Sequence, residues 1–177
     1  STSTNECVQN LYDAGAVFYV RTTEPQLLMH LCSHNNITGI ARNPNNTNLT
    51  TGGSSSGEGA IAAMKGSVLG VGSDIGGSIR APASFCGVWG LRPTQKRIPL
   101  LPLVPSGDKV QENVVVVLGP LARSAQDLEL FMKVELNAKP WQKDATLIPL
   151  PWRDVETPTP KQLKIAVVYD DGIVKPT

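Results

Sequence analysis

Two Gly-Gly-Ser triplets stand within one glycine- and serine-rich stretch, residues 52–80, GGSSSGEGAIAAMKGSVLGVGSDIGGSIR, the first ending at Ser54 and the second at Ser78. Serines in such a setting could act as nucleophiles or line an anion cradle, and glycines let the backbone come close to a ligand. Gly53–Gly57 matches the nucleophile-elbow pattern G-x-S-x-G with Ser55 at its centre. That elbow must follow a hydrophobic strand and precede its histidine, whereas NNTNLTTG comes before it and both histidines lie upstream. Gly57, Gly59 and Ala62 fit the loose G-x-G-x-x-A dinucleotide pattern, again with no strand ahead of it. No Walker lysine spacing is present. Treating the stretch as mere flexible loop leaves the repeated Gly-Gly-Ser unexplained.

The other reactive side chains are sparser. His30 and His34 stand four apart on an expected helix with Cys32 between them, but two ligands without a third or a nearby Glu make no metal site. Cys7, Cys32 and Cys86 are odd in number and far apart, so they are read as reduced thiols rather than a disulfide framework. Asn36, Asn45 and Asn48 begin N-x-Ser/Thr sequons, which here mark a polar loop.

Taken together, GGSSSGEGA, SDIGGSIRAPASFCG and GLRPT resemble the signature of the amidase signature family, serine hydrolases that cleave carboxamides with a Ser, cis-Ser, Lys triad. GPLARSAQDLELFMK, AKPWQKD, PLPWR and KIAVVYDDG are similar to its fungal acetamidase or general amidase branch, so the resemblance covers essentially all 177 residues. It implies that Ser78 is the nucleophile and Ser54 the bridging serine, joined to Gly53 by a cis peptide bond. A serine hydroxyl is a poor nucleophile until a base takes its proton, and a second serine can relay that proton to a neutral lysine.

The N–H groups of Ile75, Gly76 and Gly77 are expected to form an oxyanion hole, where one lost donor typically costs about 3 kcal/mol of barrier. Asp74 and Arg80 flank that loop and are expected to pair or to hold backbone groups, and Ser55 to support the site by hydrogen bonding. The implied reaction is hydrolysis of a small-molecule amide through an acyl-enzyme, without metal or organic cofactor. The family's lysine belongs to a helix upstream of the glycine-serine loop, before Ser1, and neither Lys65 nor Lys96 matches its motif position. The 177 residues are therefore expected to be an internal, inactive piece of a longer amidase. Two other classes stand beside this one: a non-catalytic amidase-like binding or assembly module, and the glutaminase subunit of a tRNA amidotransferase. Ile75 and Gln95-Lys96-Arg97 favour the small-amide branch over the latter.

These residues need elements to position them. Ser3 and Glu6 stand in a capping-box relation ahead of a helix ending near Gly15, and Ala16–Val20 reads as a strand followed by a helix start at Thr23–Gln26. Residues 35–56 are too polar for either period and read as a long loop. Ala60–Met64 reads as a small-residue helix, Val68–Val71 as a strand, Val114–Leu118 as a strand covered on both faces, and Ser124 with Asp127 as the cap of a helix burying Leu128, Phe131 and Met132. Five prolines mark residues 137–163 as a surface connection, and Ile165–Tyr169 reads as a further strand. The alternation predicts an α/β fold. The resemblance specifies it as part of the amidase signature fold, a mixed, mainly parallel sheet flanked by helices on both faces. Residues 1–136 would form the core, 137–163 the connection, and 164–177 the start of a further portion of the same domain.

Composition removes several functions. Sixteen basic against 15 acidic side chains give a net charge of +1, with no dense basic run, so the footprint of a nucleic-acid binder is missing. The longest apolar run, Val114–Leu118, is far shorter than the ~18 residues that span a bilayer, and the given sequence opens with neither a charged start nor an apolar signal stretch. A cytoplasmic setting is expected, with a homodimer mate or the remainder of a longer chain as partner.

Overall fold

A computed structural model describes residues 4–100 and 114–174. In chain order the elements are α1 (Glu6–Asp13), two small hairpins formed by β1 (His34–Asn35) with β2 (Gly39–Ile40) and by β3 (Arg42–Asn43) with β4 (Asn46–Thr50), then α2 (Ser56–Ala63), β5 (Leu69–Asp74), α3 (Arg80–Cys86), β6 (Trp89–Gly90), β7 (Val117–Ala122) and α4 (Ala125–Asn137). The central sheet has the order β5-β7-β6, and both pairings are antiparallel. This corrects the expected mainly parallel sheet. β5 and β6, linked through α3, do run the same way, as a crossover requires, but β7 inserts between them and runs against both.

β7 is the spine: all six of its residues are buried, as befits a strand covered on both faces. It lies three residues later than the apolar run Val114–Leu118 suggested. α4 packs on β7 and presents Phe131, Met132 and Leu136 to a core shared with Cys7 and Leu11 of α1, Ile98 and Leu118. Its N-cap is Ser124, whose Oγ accepts from the Asp127 N–H at 3.2 Å.

Elsewhere local chemistry differs from the sequence expectation. α1 is capped by Asn5, whose Oδ1 accepts from the Cys7 N–H; Ser3 lies outside the described residues. Ala16–Val20 and Ile165–Tyr169 form no strand: Val17 is 83% and Ile165 80% exposed, and no described strand pairs with either. The helix expected after Thr23 is a single 3-10 turn, Gln26–Leu28, because Leu27 and Leu28 adopt positive φ. His30 and His34 therefore share no helical face; His34 sits in β1. Residues 35–56 are not one long loop but hold two hairpins. Asn35 Oδ1 accepts from the Ile37 and Thr38 N–H groups, and Asn43 and Asn46 do the same for Asn45 and Asn48, so side-chain hydrogen bonds set turns where apolar periodicity is absent.

One buried acid lies under α1. Glu135 is fully buried; its Oε2 accepts from Asn10 Nδ2 at 3.1 Å, and its Oε1 has no partner among the described residues. Burial pushes its carboxyl from 4.5 up to about 7, against the opposing pull of the Asn10 amide and the Cys7 thiol. The folded chain thus keeps a proton that the unfolded chain has released between pH 4.5 and about 7, so stability falls as pH rises through that window. The whole drop is about 3 kcal/mol. Glu135→Gln is expected to abolish it, giving a Tm nearly flat from about pH 5 to about pH 8. A wild-type Tm already flat over that range in thermal melts would contradict this assignment.

Candidate active site

Two loops meet at the end of β5. The first, Gly52–Ser55, leads into α2; the second, Ile75–Ile79, leads into α3. The Gly53–Ser54 peptide bond is cis. Ser54 and Ser78 are both buried, and the Ser55 N–H donates to the Ser78 carbonyl at 3.0 Å, which ties one loop to the other. Ser55 Oγ also spans to β5, donating to the Ser73 carbonyl at 3.4 Å and accepting from the Ser73 N–H at 3.2 Å.

Glycine at 53 answers a close approach. A Cβ there would come 2.7 Å from the His30 carbonyl oxygen and 3.0 Å from Ser33 Oγ, both on the segment that wraps the loop. Behind the loop, the Thr23 carbonyl accepts from the Gly57 N–H at 3.0 Å and from Ser56 Oγ at 2.9 Å, while Thr22 Oγ1 donates to Glu58 Oε1 at 2.6 Å. Burial raises the pKa of Glu58, with the Thr22 hydroxyl opposing. The residues 22–23 were not singled out from the sequence, where nothing but a helix-start pattern marks them.

Asp74 organises the second loop. Its carboxylate is fully buried and accepts from Gly77 N–H at 2.8 Å, Ile79 N–H at 3.1 Å and Arg80 N–H at 3.3 Å. Arg80 adds a two-pronged contact through Nε and Nη2, each at 3.0 Å. Gly77 takes φ of +121°, open to glycine and strained for any other residue, and this turns its N–H inward. Of the three N–H groups expected to line an oxyanion hole, that of Gly77 is given to Asp74, whereas the Gly76 N–H has no partner among the described residues. Arg92, which sits within GLRPT but was not singled out there, brings Nε to 3.4 Å from Asp74 Oδ1.

The remaining candidates lie apart. Lys65 lines a surface cavity of about 260 Å³ with Asn45, Cys86 and Arg123, and neither Ser54 nor Ser78 lines it. Lys96 gives its carbonyl to the Ile148 N–H. Among the described residues no cluster of His, Cys, Asp or Glu could hold a metal, and no helix is long and apolar enough to cross a membrane.

Burial would raise the Asp74 pKa, but the Arg80 guanidinium and the three backbone N–H groups outweigh it and bring it from 3.8 down to about 2. A depressed carboxylate stabilises the fold above 3.8, and that contribution is lost as pH falls through about 2. It amounts to about 2 kcal/mol. Asp74→Asn is expected to flatten this acid limb and to lower neutral-pH stability by about 3 kcal/mol, because it leaves loop donors unpaired. Urea midpoints of wild type and Asp74→Asn at pH 7 and pH 3 check both, because Glu135 titrates alike in the two; a wild-type advantage no smaller at pH 3 than at pH 7 would remove the assignment.

Comparison with known proteins fits this geometry. The family model for amidases matches residues 1–177. An acetamidase of Aspergillus oryzae is 48% identical over 173 residues, covering 94% of this chain and 31% of that protein. An acetamidase of Emericella nidulans is 50% identical over 147 residues, 83% of this chain and 27% of that protein. The solved structure of a fatty acid amide hydrolase superposes with a TM-score of 0.93 and 56% identity, over 98% of this chain and 31% of its own. The chain thus spans about a third of the length of the relatives it matches. With both Gly-Gly-Ser loops in place and the match running from end to end, the chain belongs to the amidase family.

Proposed function

We propose that the protein hydrolyses a carboxamide to a carboxylic acid and ammonia or an amine, with Ser78 as nucleophile and Ser54 as proton relay. The observation that carries this is the Ser55 N–H bond to the Ser78 carbonyl, which joins the two Gly-Gly-Ser loops while both serines stay buried. In the attack, Ser78 Oγ forms a bond to the substrate carbonyl carbon while its proton passes through Ser54 to a neutral lysine outside these 177 residues. The oxyanion meets the N–H groups of Ile75 and Gly76, while that of Gly77, turned to Asp74, fixes the turn. Collapse breaks the C–N bond as the proton returns to the leaving nitrogen, and water then repeats the sequence on the acyl-enzyme. Acetamidase and fatty acid amide hydrolase share the amide and differ in the acyl group, which supports the bond type rather than a chain length. The residues proposed to act are side-chain and backbone groups alone, and the partner we propose is the rest of a longer chain.

In the native protein a fluorophosphonate probe is expected to label Ser78, and Ser78→Ala to abolish labelling and amide hydrolysis together. Labelling that persists in Ser78→Ala would refute the assignment. Ser54→Ala is expected to lower kcat by about 10²- to 10⁴-fold with KM little changed, as loss of a proton relay does. The 177 residues alone are expected to leave acetamide intact; turnover by them that vanishes on Ser78→Ala would show that no outside lysine is needed.

A further inference from the structure

Among the described residues, every hydrogen bond that the Asp74 carboxylate accepts comes from within its own turn, from Gly77, Ile79 and Arg80. Such bonds shape the turn; the β5–β7 ladder holds the backbone up to Asp74, and Arg92 adds a tie on the carboxylate itself from outside the turn. Its Nε lies 3.4 Å from Asp74 Oδ1, the oxygen that also takes the Gly77 N–H, and its Nη2 donates to the Val115 carbonyl at 3.3 Å. Val115 leads into β7, where Val117 pairs with Asp74, and Leu91, beside Arg92, donates its N–H to the Pro120 carbonyl. One guanidinium thereby ties the end of β5 to the entry of β7 from a segment already fixed to β7. The Arg92 side chain is 28% exposed against 56% for Arg80, so less water screens its charge from a fully buried carboxylate.

We propose that Arg92 is a positioning residue for Ser78: by holding Asp74 from outside the turn, it fixes where the nucleophile and the amides before it stand relative to the sheet. This rests on Ser78 being the nucleophile. A fork that reaches two oxygens on different elements is a task for arginine rather than lysine, whose ammonium is a single compact charge. A misplacement of about 1 Å at a reacting group costs up to about 10²-fold in rate.

The test compares wild type, Arg92→Lys and Arg92→Gln in the native protein. Amide hydrolysis and the rate of fluorophosphonate labelling are measured together with hydrogen exchange at Gly77 and Ile79. Arg92→Gln is expected to lower kcat and the labelling rate about 10- to 100-fold with KM within about twofold, and Arg92→Lys to fall between it and wild type. Exchange at Gly77 and Ile79 should quicken in the same order, while β7 and α4 stay protected. Wild-type kcat and exchange in Arg92→Gln would overturn the proposal, and so would exchange that quickens equally across β7 and α4, the mark of general loosening. Should Arg92→Gln not fold, Arg92→Lys decides by the same two criteria. The exchange readout needs no catalysis, so a wild type that takes no label, together with localised quickening in Arg92→Gln, would sink the nucleophile assignment while leaving the Arg92 clamp standing.

Discussion

The buried carboxylate of Asp74 is the constraint around which the site is arranged. A charge removed from water must recover several kcal/mol from its surroundings, and this one does so from the amides of the turn that carries Ser78. Those amides have few other conformations in which they reach both carboxylate oxygens, so satisfying the charge and shaping the loop are one event. Gly77 at φ +121° belongs to the same solution, because only glycine takes that conformation without strain while its N–H faces inward. The first serine loop is bonded to the product of this arrangement, through the Ser55 N–H and the Ser78 carbonyl.

Glu135 shows the opposite answer to the same problem. It too is fully buried, but beside it stand an asparagine amide and a thiol rather than guanidinium groups and aligned N–H donors. With little to stabilise the anion, the acid holds its proton up to about pH 7, whereas Asp74 releases its own near 2. The contrast separates function from packing: the carboxylate that stays charged is the one joined to the serine loop, and the one that favours neutrality sits in the apolar contact between α1 and α4.

How much of this was legible in the residues follows from where the determining forces lie. The serine loops were readable because a close approach demands particular residues at particular places; a Cβ at position 53 would strike the His30 carbonyl, and that requirement leaves its mark as Gly-Gly-Ser. α4 was readable from Ser124 and the spacing of Leu128, Phe131 and Met132, since cap and core face are both local patterns. The hairpins within residues 35–56 were not, because asparagine side chains close their turns and little apolar surface is buried. Nor was the direction of the sheet: β5 and β6 obey the crossover rule, and only the later strand β7, arriving between them, makes every pairing antiparallel. Arg92 was hidden for a related reason, since a contact between residues 92 and 74 is set by how β6 and β5 flank β7, which no spacing along the chain encodes.

These contacts also indicate a division of labour within a longer protein. The contacts around the two serine loops run among residues 22–23, 30–33, 52–57, 72–80, 92 and 115–120, all within this chain. The geometry of the two serine loops is thus set by contacts within this chain, which spans 31% of the amide hydrolase structure it superposes on. A proton acceptor is a separate requirement. Lys65 faces a cavity that neither serine lines, and the carboxylates nearest the loops are bound to arginine or to Thr22. If Ser54 is the relay proposed above, a base brought by another part of the protein would meet it already held in place, so positioning and proton abstraction can reside in different segments of one amidase.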